Sequence, residues 1–220
     1  MLHGAAKPPT IADLRDPARF ELMSSLAHSE IAPFVAQYYW RRRSWITWAH
    51  YLASAALLGW WVWMGIARHY SFDQWMTRFG NAVLSFVVLL PIHEGVHGAV
   101  YRLLGATDVR YGASLRKMYA YAIAHRFVAG RRAFAWVTVT PLLIINTALA
   151  LALYAFPGQQ FYLMGVLLLH TAGTSGDVAM LNYLWTHRHR VVFTYDDAAA
   201  SRSYFYASAE DASAERAGRG

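Results

Sequence analysis

Cysteine is absent from the 220 residues of this chain. Disulfide bonds and thiolate metal ligands are therefore excluded, and a metal ion can be held only by histidine, carboxylate or water. Acidic residues are scarce, since thirteen Asp and Glu stand against twenty Lys and Arg, for a net charge of +7. Because the basic residues cluster beside apolar runs, we expect them to contact anionic membrane lipid, and we expect no nucleic-acid partner.

Apolar side chains dominate the composition: 56% of the residues are hydrophobic, and they include nine Trp and fourteen Tyr. This composition is typical of an integral membrane protein whose aromatic residues form belts at the two lipid interfaces. Four apolar runs predict transmembrane helices over residues 45–67, 81–104, 133–156 and 161–185. Basic loops alternate with weakly charged loops between these runs. We therefore predict that the chain lies in a prokaryotic cytoplasmic membrane with both termini in the cytoplasm.

The predicted spans divide the chain into three parts. We predict that residues 1–43 form a cytoplasmic segment that is poorly ordered over 1–18 and helical over 19–39. This helix lies either on the membrane surface or in solvent. Residues 44–190 form the membrane domain. Residues 191–220 form a second cytoplasmic segment, with short strand-like stretches followed by a disordered tail.

The loop between the second and third spans has a different pattern. Large and small side chains alternate from Met118 to Ala124, with the period of two that is typical of a strand. We predict that this strand pairs with residues 108–112 in a hairpin. The predicted fold class is therefore all-α integral membrane, with about four transmembrane helices and a short cytoplasmic or membrane-adjacent β-hairpin.

The second predicted span contains the sequence His93-Glu94-x-x-His97. On an α-helix, residues four apart lie one turn above each other on the same face, so both imidazoles can reach one Zn²⁺. Glu94 is then free to act as the general base on a metal-bound water. Ionisable groups within a span are expensive in lipid, which favours a functional site over a chance match of a short motif.

Only two of the thirteen acidic residues, Glu94 and Asp177, fall inside predicted spans. His97 lies seven residues before the cytoplasmic end of its span, and Asp177 lies eight residues before the cytoplasmic end of its own. At ~1.5 Å per residue, both lie roughly 10–12 Å from that boundary. We therefore predict that His93, His97 and Asp177 bind Zn²⁺, with a fourth position open for water.

Three further polar side chains in the predicted spans have alternative interpretations. His170 lies seven residues before Asp177 on nearly the same helix face, and it either supports the site, replaces a ligand or forms a hydrogen bond between helices. Asn146, near the middle of the third span, either joins the active site or bonds a neighbouring helix. His50, near the cytoplasmic end of the first span, is predicted to be an interfacial side chain rather than a ligand.

These motifs resemble known families. His93-Glu94-x-x-His97 in one span and an Asp in a Gly-containing segment of a later span resemble the site-2 protease class of intramembrane zinc metalloproteases. Over roughly residues 80–195, including Thr140-Pro141-Leu142 and Ser175-Gly176-Asp177, the chain more closely resembles the membrane family of putative zincin peptidases. The resemblance implies Zn²⁺ on the two histidines and Asp177, with Glu94 as the base. The second motif departs from the site-2 pattern, in which Gly typically follows the Asp, because here Gly176 precedes it.

The predicted function is an intramembrane zinc metallopeptidase that hydrolyses membrane-embedded or membrane-adjacent polypeptides. One alternative is a non-proteolytic metal enzyme acting on lipid, although di-iron membrane hydroxylases need more histidines than these spans offer. The other alternative is a transporter or a scaffold without catalysis. The presence of Glu94 argues against a scaffold, because a site that only binds metal does not need a general base.

Overall fold

The computed structural model describes residues 8–114, 119–209 and 211, and the chain is mostly helical. The helices are α1 (Ile11–Leu14), α2 (Ile31–Val35), α3 (Trp45–Ala67), α4 (Phe72–Leu103), α5 (Arg131–Ala155), α6 (Gln160–Gly173) and α7 (Ser175–Thr186). The strands are β1 (Phe20–Ala27), β2 (Val109–Ser114), β3 (Tyr119–Ala124), β4 (Ala129–Gly130), β5 (Val192–Asp197) and β6 (Arg202–Ser208). The long helices pack against one another, and a small sheet lies against α5.

Among the described residues, two helices are long and apolar enough to cross a membrane: α4 with 32 residues and α5 with 25. The prediction of four transmembrane helices is therefore not supported in that form. Helix α3 has 23 residues with five Trp, and it is not one of these two helices. The predicted span over 161–185 is divided, because the chain leaves the helical path at Thr174 and continues as a second short helix.

Local capping explains where the longest helix begins and ends. Ser71 is the N-cap of α4: its Oγ accepts a hydrogen bond from the N–H of Gln74, whose side chain in turn accepts from the N–H of Ser71. Gly105 follows the end of the helix with a φ of +102°, which glycine adopts without the strain that a Cβ would cause. Helix α4 therefore begins at Phe72, nine residues before the predicted span of 81–104, and ends at Leu103, one residue before that span ends.

The prediction of a surface helix over 19–39 is wrong in its first part. Residues 20–27 form β1, which pairs antiparallel with β6 and places Phe20 opposite Ser208. The apolar spacing of this segment could not reveal the pairing, because the partner strand lies at the opposite end of the sequence. A 3₁₀ turn, α2 and a wide helical turn over Ala36–Arg41 complete the segment.

A four-stranded sheet with the order β1-β6-β5-β4 joins the two ends of the chain. The all-α prediction is corrected by this sheet, and the strand-like stretch predicted at 203–206 lies within β6. Within the segment predicted to be poorly ordered, residues 11–14 form α1, with Thr10 as its N-cap and Leu14 fully buried. The predicted disordered tail falls mostly on residues 212–220, which lie outside the described residues.

The predicted hairpin is present as β2 and β3, paired antiparallel with Val109 opposite Ala124. Met118, where the predicted strand begins, lies outside the described residues. The hairpin packs against α4, the helix that carries the His-Glu-x-x-His sequence. Gly98 permits this approach, because a Cβ there would lie 2.0 Å from the hydroxyl of Tyr111. The loop between α4 and α5 therefore folds back over the motif.

A buried amide connects α7 to the N-terminal segment. Asn182 has no exposed surface, and its Nδ2 donates to the carbonyl of Tyr38 at 2.6 Å and to the carbonyl of Arg42. Carbonyls at the end of a helix lack partners within it, so a side chain from another helix satisfies them. The wide turn is thereby fixed to the helix that carries Asp177.

The buried carboxylate of Asp196 on β5 makes stability depend on pH. Its Oδ1 accepts a hydrogen bond from Ser203 Oγ at 2.5 Å, yet burial raises the pKa of Asp196 from 3.8 to about 6. The folded protein then holds this proton more tightly than the unfolded chain does. The contribution of Asp196 to stability is present at low pH and is lost as the pH rises between these two pKa values.

We expect Asp196→Asn to raise the free energy of unfolding at neutral pH by on the order of 2–3 kcal/mol, because the amide keeps the acceptor without the buried charge. Chemical unfolding in detergent from acid to neutral pH measures this. Ser203→Ala removes a donor that lowers the pKa, so it should move the loss of stability to higher pH. Identical pH dependence in Asp196→Asn and the wild type would contradict the prediction.

Candidate metal centre

Helix α4 presents two histidines to the interior of the helix bundle. His93 and His97 lie one helical turn apart, and each is 8% exposed. Their Nε2 atoms are 3.1 Å apart, and their ring planes are nearly perpendicular, at 80°. The four-residue spacing on a helix therefore directs both rings to the same place.

Asp177 reaches the same place from α7. It lies in the first turn of that helix, directly after the break in the helical path. Its Oδ2 is 3.1 Å from His93 Nε2, and its Oδ1 is 3.3 Å from His97 Nε2. Each of the three residues offers one possible ligand atom, and these atoms lie within 4.8 Å of one another. The fold thus brings together His93 and Asp177, which lie 84 positions apart in the sequence.

Hydrogen bonds hold the break before Asp177 in place. The carbonyl of Thr171 accepts from Thr174 Oγ1 and from His50 Nε2, each at 2.8 Å. Because a carbonyl only accepts, His50 Nε2 carries the proton, and its Nδ1 accepts from the Tyr39 hydroxyl at 2.8 Å. The prediction that His50 is an interfacial side chain is therefore wrong: it is 6% exposed and connects α3 to the turn that begins α7.

A backbone carbonyl orients His97. The Nδ1 atom of His97 is 2.8 Å from the carbonyl oxygen of Val137 on α5. The carbonyl accepts, so Nδ1 carries the proton of the neutral ring and Nε2 has a free lone pair. Metal-binding histidines typically donate their second ring N–H in this way, which fixes the tautomer and the ring orientation.

A series of side chains orients His93. His93 Nδ1 is 3.2 Å from His170 Nε2, and His170 Nδ1 is 2.7 Å from Asn146 Oδ1. The other end of the amide donates to Thr171 Oγ1 at 2.9 Å, so Oδ1 is the atom that accepts from His170. His170 Nε2 is then left to accept from His93 Nδ1–H, and His93 Nε2 has the free lone pair. His170 therefore lies behind His93 and is not one of the three converging atoms.

This arrangement of lone pairs fits a cation. Two imidazole lone pairs and a carboxylate repel one another at separations of 3.1–3.3 Å unless a positive charge lies between them. Tetrahedral Zn²⁺ with bonds of about 2.0–2.2 Å separates its ligand atoms by about 3.4 Å. The observed separations are close to that value. The residues therefore fit Zn²⁺ with three protein ligands and one open position, the pattern of catalytic zinc sites.

Glu94 lies at the side of this centre. Its carboxylate is within electrostatic range of His93, His97 and Asp177. The backbone N–H of Ala122 on β3 interacts with the same carboxylate. Glu94 contributes none of the three converging atoms, so it remains free to accept or release a proton beside the centre.

The residues singled out in the sequence lie in or beside this one centre. They are His93, Glu94, His97, Asn146, His170 and Asp177. Sequence reasoning missed the contacts of Val137, Tyr39 and His50. The contact of Val137 is made by a backbone carbonyl, which leaves no side-chain signal. Tyr39 lies in a segment whose pattern predicts a surface helix. His50 was visible as a polar residue in an apolar run, but its burial was not.

The fold and the centre together define a class of protein. It is a helical protein with two helices long enough to span a membrane, and it brings two histidines and an aspartate together, with a glutamate beside them. The family described as Putative zincin peptidase matches residues 86–192, just under half of the chain, and this stretch contains the whole centre. The match supports the zincin peptidase family and, with it, a zinc metallopeptidase activity. No curated protein and no solved structure matches the chain.

The role of Asp177 as third ligand can be tested directly. We expect the wild type to bind one zinc, and Asp177→Asn to bind it much more weakly, because a neutral amide is a poor zinc donor. Asp177→His should keep part of the affinity, since imidazole is a good ligand. His170→Ala removes only an orienting partner, so its loss of affinity should be on the order of 10–100-fold. Zinc stoichiometry and affinity of the purified proteins are the measurements.

Three outcomes would change the assignment. Full zinc occupancy in Asp177→Asn together with an empty site in His170→Ala would transfer the third-ligand role to His170. Two irons per chain in the wild type would favour the lipid hydroxylase, and a wild type without metal would favour a transporter or a scaffold.

Proposed function

We propose that this chain is an intramembrane zinc metallopeptidase of the site-2-protease type, which hydrolyses membrane-embedded or membrane-adjacent polypeptides. The convergence of His93 Nε2, His97 Nε2 and the Asp177 carboxylate, with Glu94 beside them, carries the proposal. A zinc site that is only structural is closed by four protein ligands and has no use for a free carboxylate at its side.

The proposal includes α3 and the interrupted pair α6 and α7 in the bilayer, together with α4 and α5. Helix α3 exposes Trp60, Trp63 and Ile66 on its surface, which is favourable at a lipid interface and unfavourable in water. Thr174, at the break in the helical path, is 2% exposed, and its hydroxyl donates to the Thr171 carbonyl. Backbone that departs from a helix is tolerated within a membrane where it is buried in protein. The sheet and both termini then lie on the cytoplasmic side.

The chemistry that follows is that of a metal-assisted hydrolysis. Zn²⁺ held by the three ligands would polarise the scissile carbonyl and lower the pKa of a water towards ~7. Glu94 accepts a proton from the attacking water and transfers it to the leaving amine, which needs the proton to depart. Val137 and His170 keep the two histidine rings in the tautomer that directs Nε2 to the centre.

The edge of β3 is the proposed binding surface for the substrate. One edge of β3 pairs with β2. Among the described residues no strand forms a ladder on its other edge, where Ala122 interacts with Glu94 and Ala124 with Asp196. The interaction of the Ala122 N–H with Glu94 indicates that this second edge faces the catalytic base. An extended polypeptide that adds to this edge by backbone hydrogen bonds would present its peptide bonds beside Glu94. Such pairing also unwinds a helical substrate, whose carbonyls are otherwise occupied.

A metal enzyme that acts on lipid is the less favoured alternative. The described residues contain one group of three ligand atoms. A di-iron hydroxylase draws its ligands from several histidine-rich motifs, and the three buried histidines of this centre, two of them in the ligand group, do not suffice for two metal ions.

Glu94→Gln separates metal binding from catalysis. The amide preserves the shape of the side chain but cannot accept the proton of water, so we expect wild-type zinc content and a loss of activity on the order of 10²–10⁴-fold. The assay is cleavage of single-span reporter polypeptides reconstituted in the same vesicles, with zinc content measured on the same samples. A Glu94→Gln protein without zinc would show that Glu94 is a ligand and that its assigned role is wrong.

The membrane arrangement is tested by reporter fusions. Fusions at Gly158, between α5 and α6, should report the outside, and fusions at Arg131 and at the C-terminus should report the cytoplasm, because basic residues are retained there. Arg131 and Gly158 flank α5, so opposite signals from them also test whether this helix crosses the bilayer. An inside signal at Gly158 would rule out the four-span arrangement.

A further inference from the structure

Helix α5 contains a proline, Pro141, in its interior. A proline has no backbone N–H, so it cannot donate to the carbonyl four residues earlier, which is that of Val137. Val137 is 3% exposed, so little water can replace the missing donor. A buried carbonyl without a partner is unfavourable, and the freed oxygen therefore requires a donor from another element.

His97 provides that donor. Its Nδ1 lies 2.8 Å from the oxygen that Pro141 leaves free. The carbonyl accepts a proton and cannot give one, so His97 carries its proton on Nδ1. Its Nε2 lone pair is then directed to the Asp177 carboxylate, whose Oδ1 lies at 3.3 Å. The missing N–H of Pro141 on α5 is thereby linked to the tautomer of His97 on α4.

We propose that Pro141 is a positioning residue of the metal centre: by leaving the Val137 carbonyl free, it fixes the Nδ1–H tautomer and the ring orientation of His97. The effect on metal binding rests on the proposed function. The effect on the tautomer of His97 does not, because it follows from the hydrogen bond alone.

The same helix also orients the second histidine. Asn146 on α5 accepts from His170, which leaves His170 Nε2 to accept from His93. Helix α5 contributes none of the three converging atoms. It nevertheless provides two acceptors, the Val137 carbonyl for His97 and Asn146 Oδ1 for His170, and these determine which nitrogen of each metal-facing histidine points to the centre. Pro141 makes the first of these acceptors available.

The test compares two residues at position 141 that differ only in the donor. Pro141→Ala restores an N–H, which competes with His97 for the Val137 carbonyl. The matched control places lactic acid, the α-hydroxy analogue of alanine, at the same position. Its ester linkage has the methyl side chain of alanine but no N–H and no ring, so the carbonyl stays free.

The first measurement is zinc affinity by competition with a chelator in detergent. We expect Pro141→Ala to bind zinc more weakly, on the order of 10-fold, as is typical for loss of an orienting partner. The ester variant should retain the wild-type affinity. Thr140→Val, which removes the neighbouring side-chain hydrogen bond to the Trp136 carbonyl, should also retain it. Equal weakening in the alanine and ester variants would mean that the proline ring matters rather than the free carbonyl, and the proposal would be wrong.

The second measurement needs no metal. Nitrogen-15 chemical shifts of His97 distinguish its two tautomers. They are recorded in the metal-free protein at a pH alkaline enough to neutralise a ring that lies 3.3 Å from the Asp177 carboxylate. We expect Nδ1–H in the wild type and the ester variant, and a mixture or a weaker hydrogen bond in Pro141→Ala. Unchanged His97 shifts in Pro141→Ala would overturn the proposal. A wild type that binds no zinc would instead refute the proposed function, while this measurement still decides the role of Pro141.

Discussion

Two imidazole nitrogens and a carboxylate oxygen meet at 3.1–3.3 Å inside the helix bundle, and their mutual repulsion is the constraint around which the rest is arranged. Such lone pairs stay together only when each ring is held in one tautomer and the carboxylate is held by its backbone. The structure provides both, through Val137 for His97, His170 for His93, and the break at Thr174 for Asp177. A cation bound between these atoms would convert the repulsion into attraction, and a polar cluster would then be tolerated in an apolar environment.

Several polar contacts between distant segments form where a helix departs from regular geometry. In a regular helix the backbone groups bond to one another and are unavailable to other elements. Pro141 frees a carbonyl for His97, and the break at Thr174 lets the Thr171 carbonyl accept from His50. The wide turn over Ala36–Arg41 similarly offers carbonyls to Asn182. Each irregularity is thus paired with a side chain that lies far away in the sequence.

The hairpin connects the metal centre to the sheet. Ala122 interacts with Glu94, and two residues later Ala124 interacts with the buried carboxylate of Asp196 on β5. The strand β3 is therefore held at two points along one edge, one in the proposed active site and one in the sheet built from both chain ends. A substrate strand that pairs with this edge must replace the contact between the Ala122 N–H and the Glu94 carboxylate. Substrate binding would then release Glu94 from the strand at the same time.

The sequence alone determined what local periodicity can encode. Two histidines four apart on an apolar helix share a face, alternation from Met118 to Ala124 indicates a strand, and carboxylates are rare enough in apolar runs to single out Glu94 and Asp177. Only the tertiary structure decided which distant groups meet. The pairing of β1 with β6, the burial of His50 and the bond from His97 to a backbone carbonyl each join segments whose local patterns are satisfied by many partners. Periodicity specifies which face of an element is buried, but it does not specify what that face is buried against.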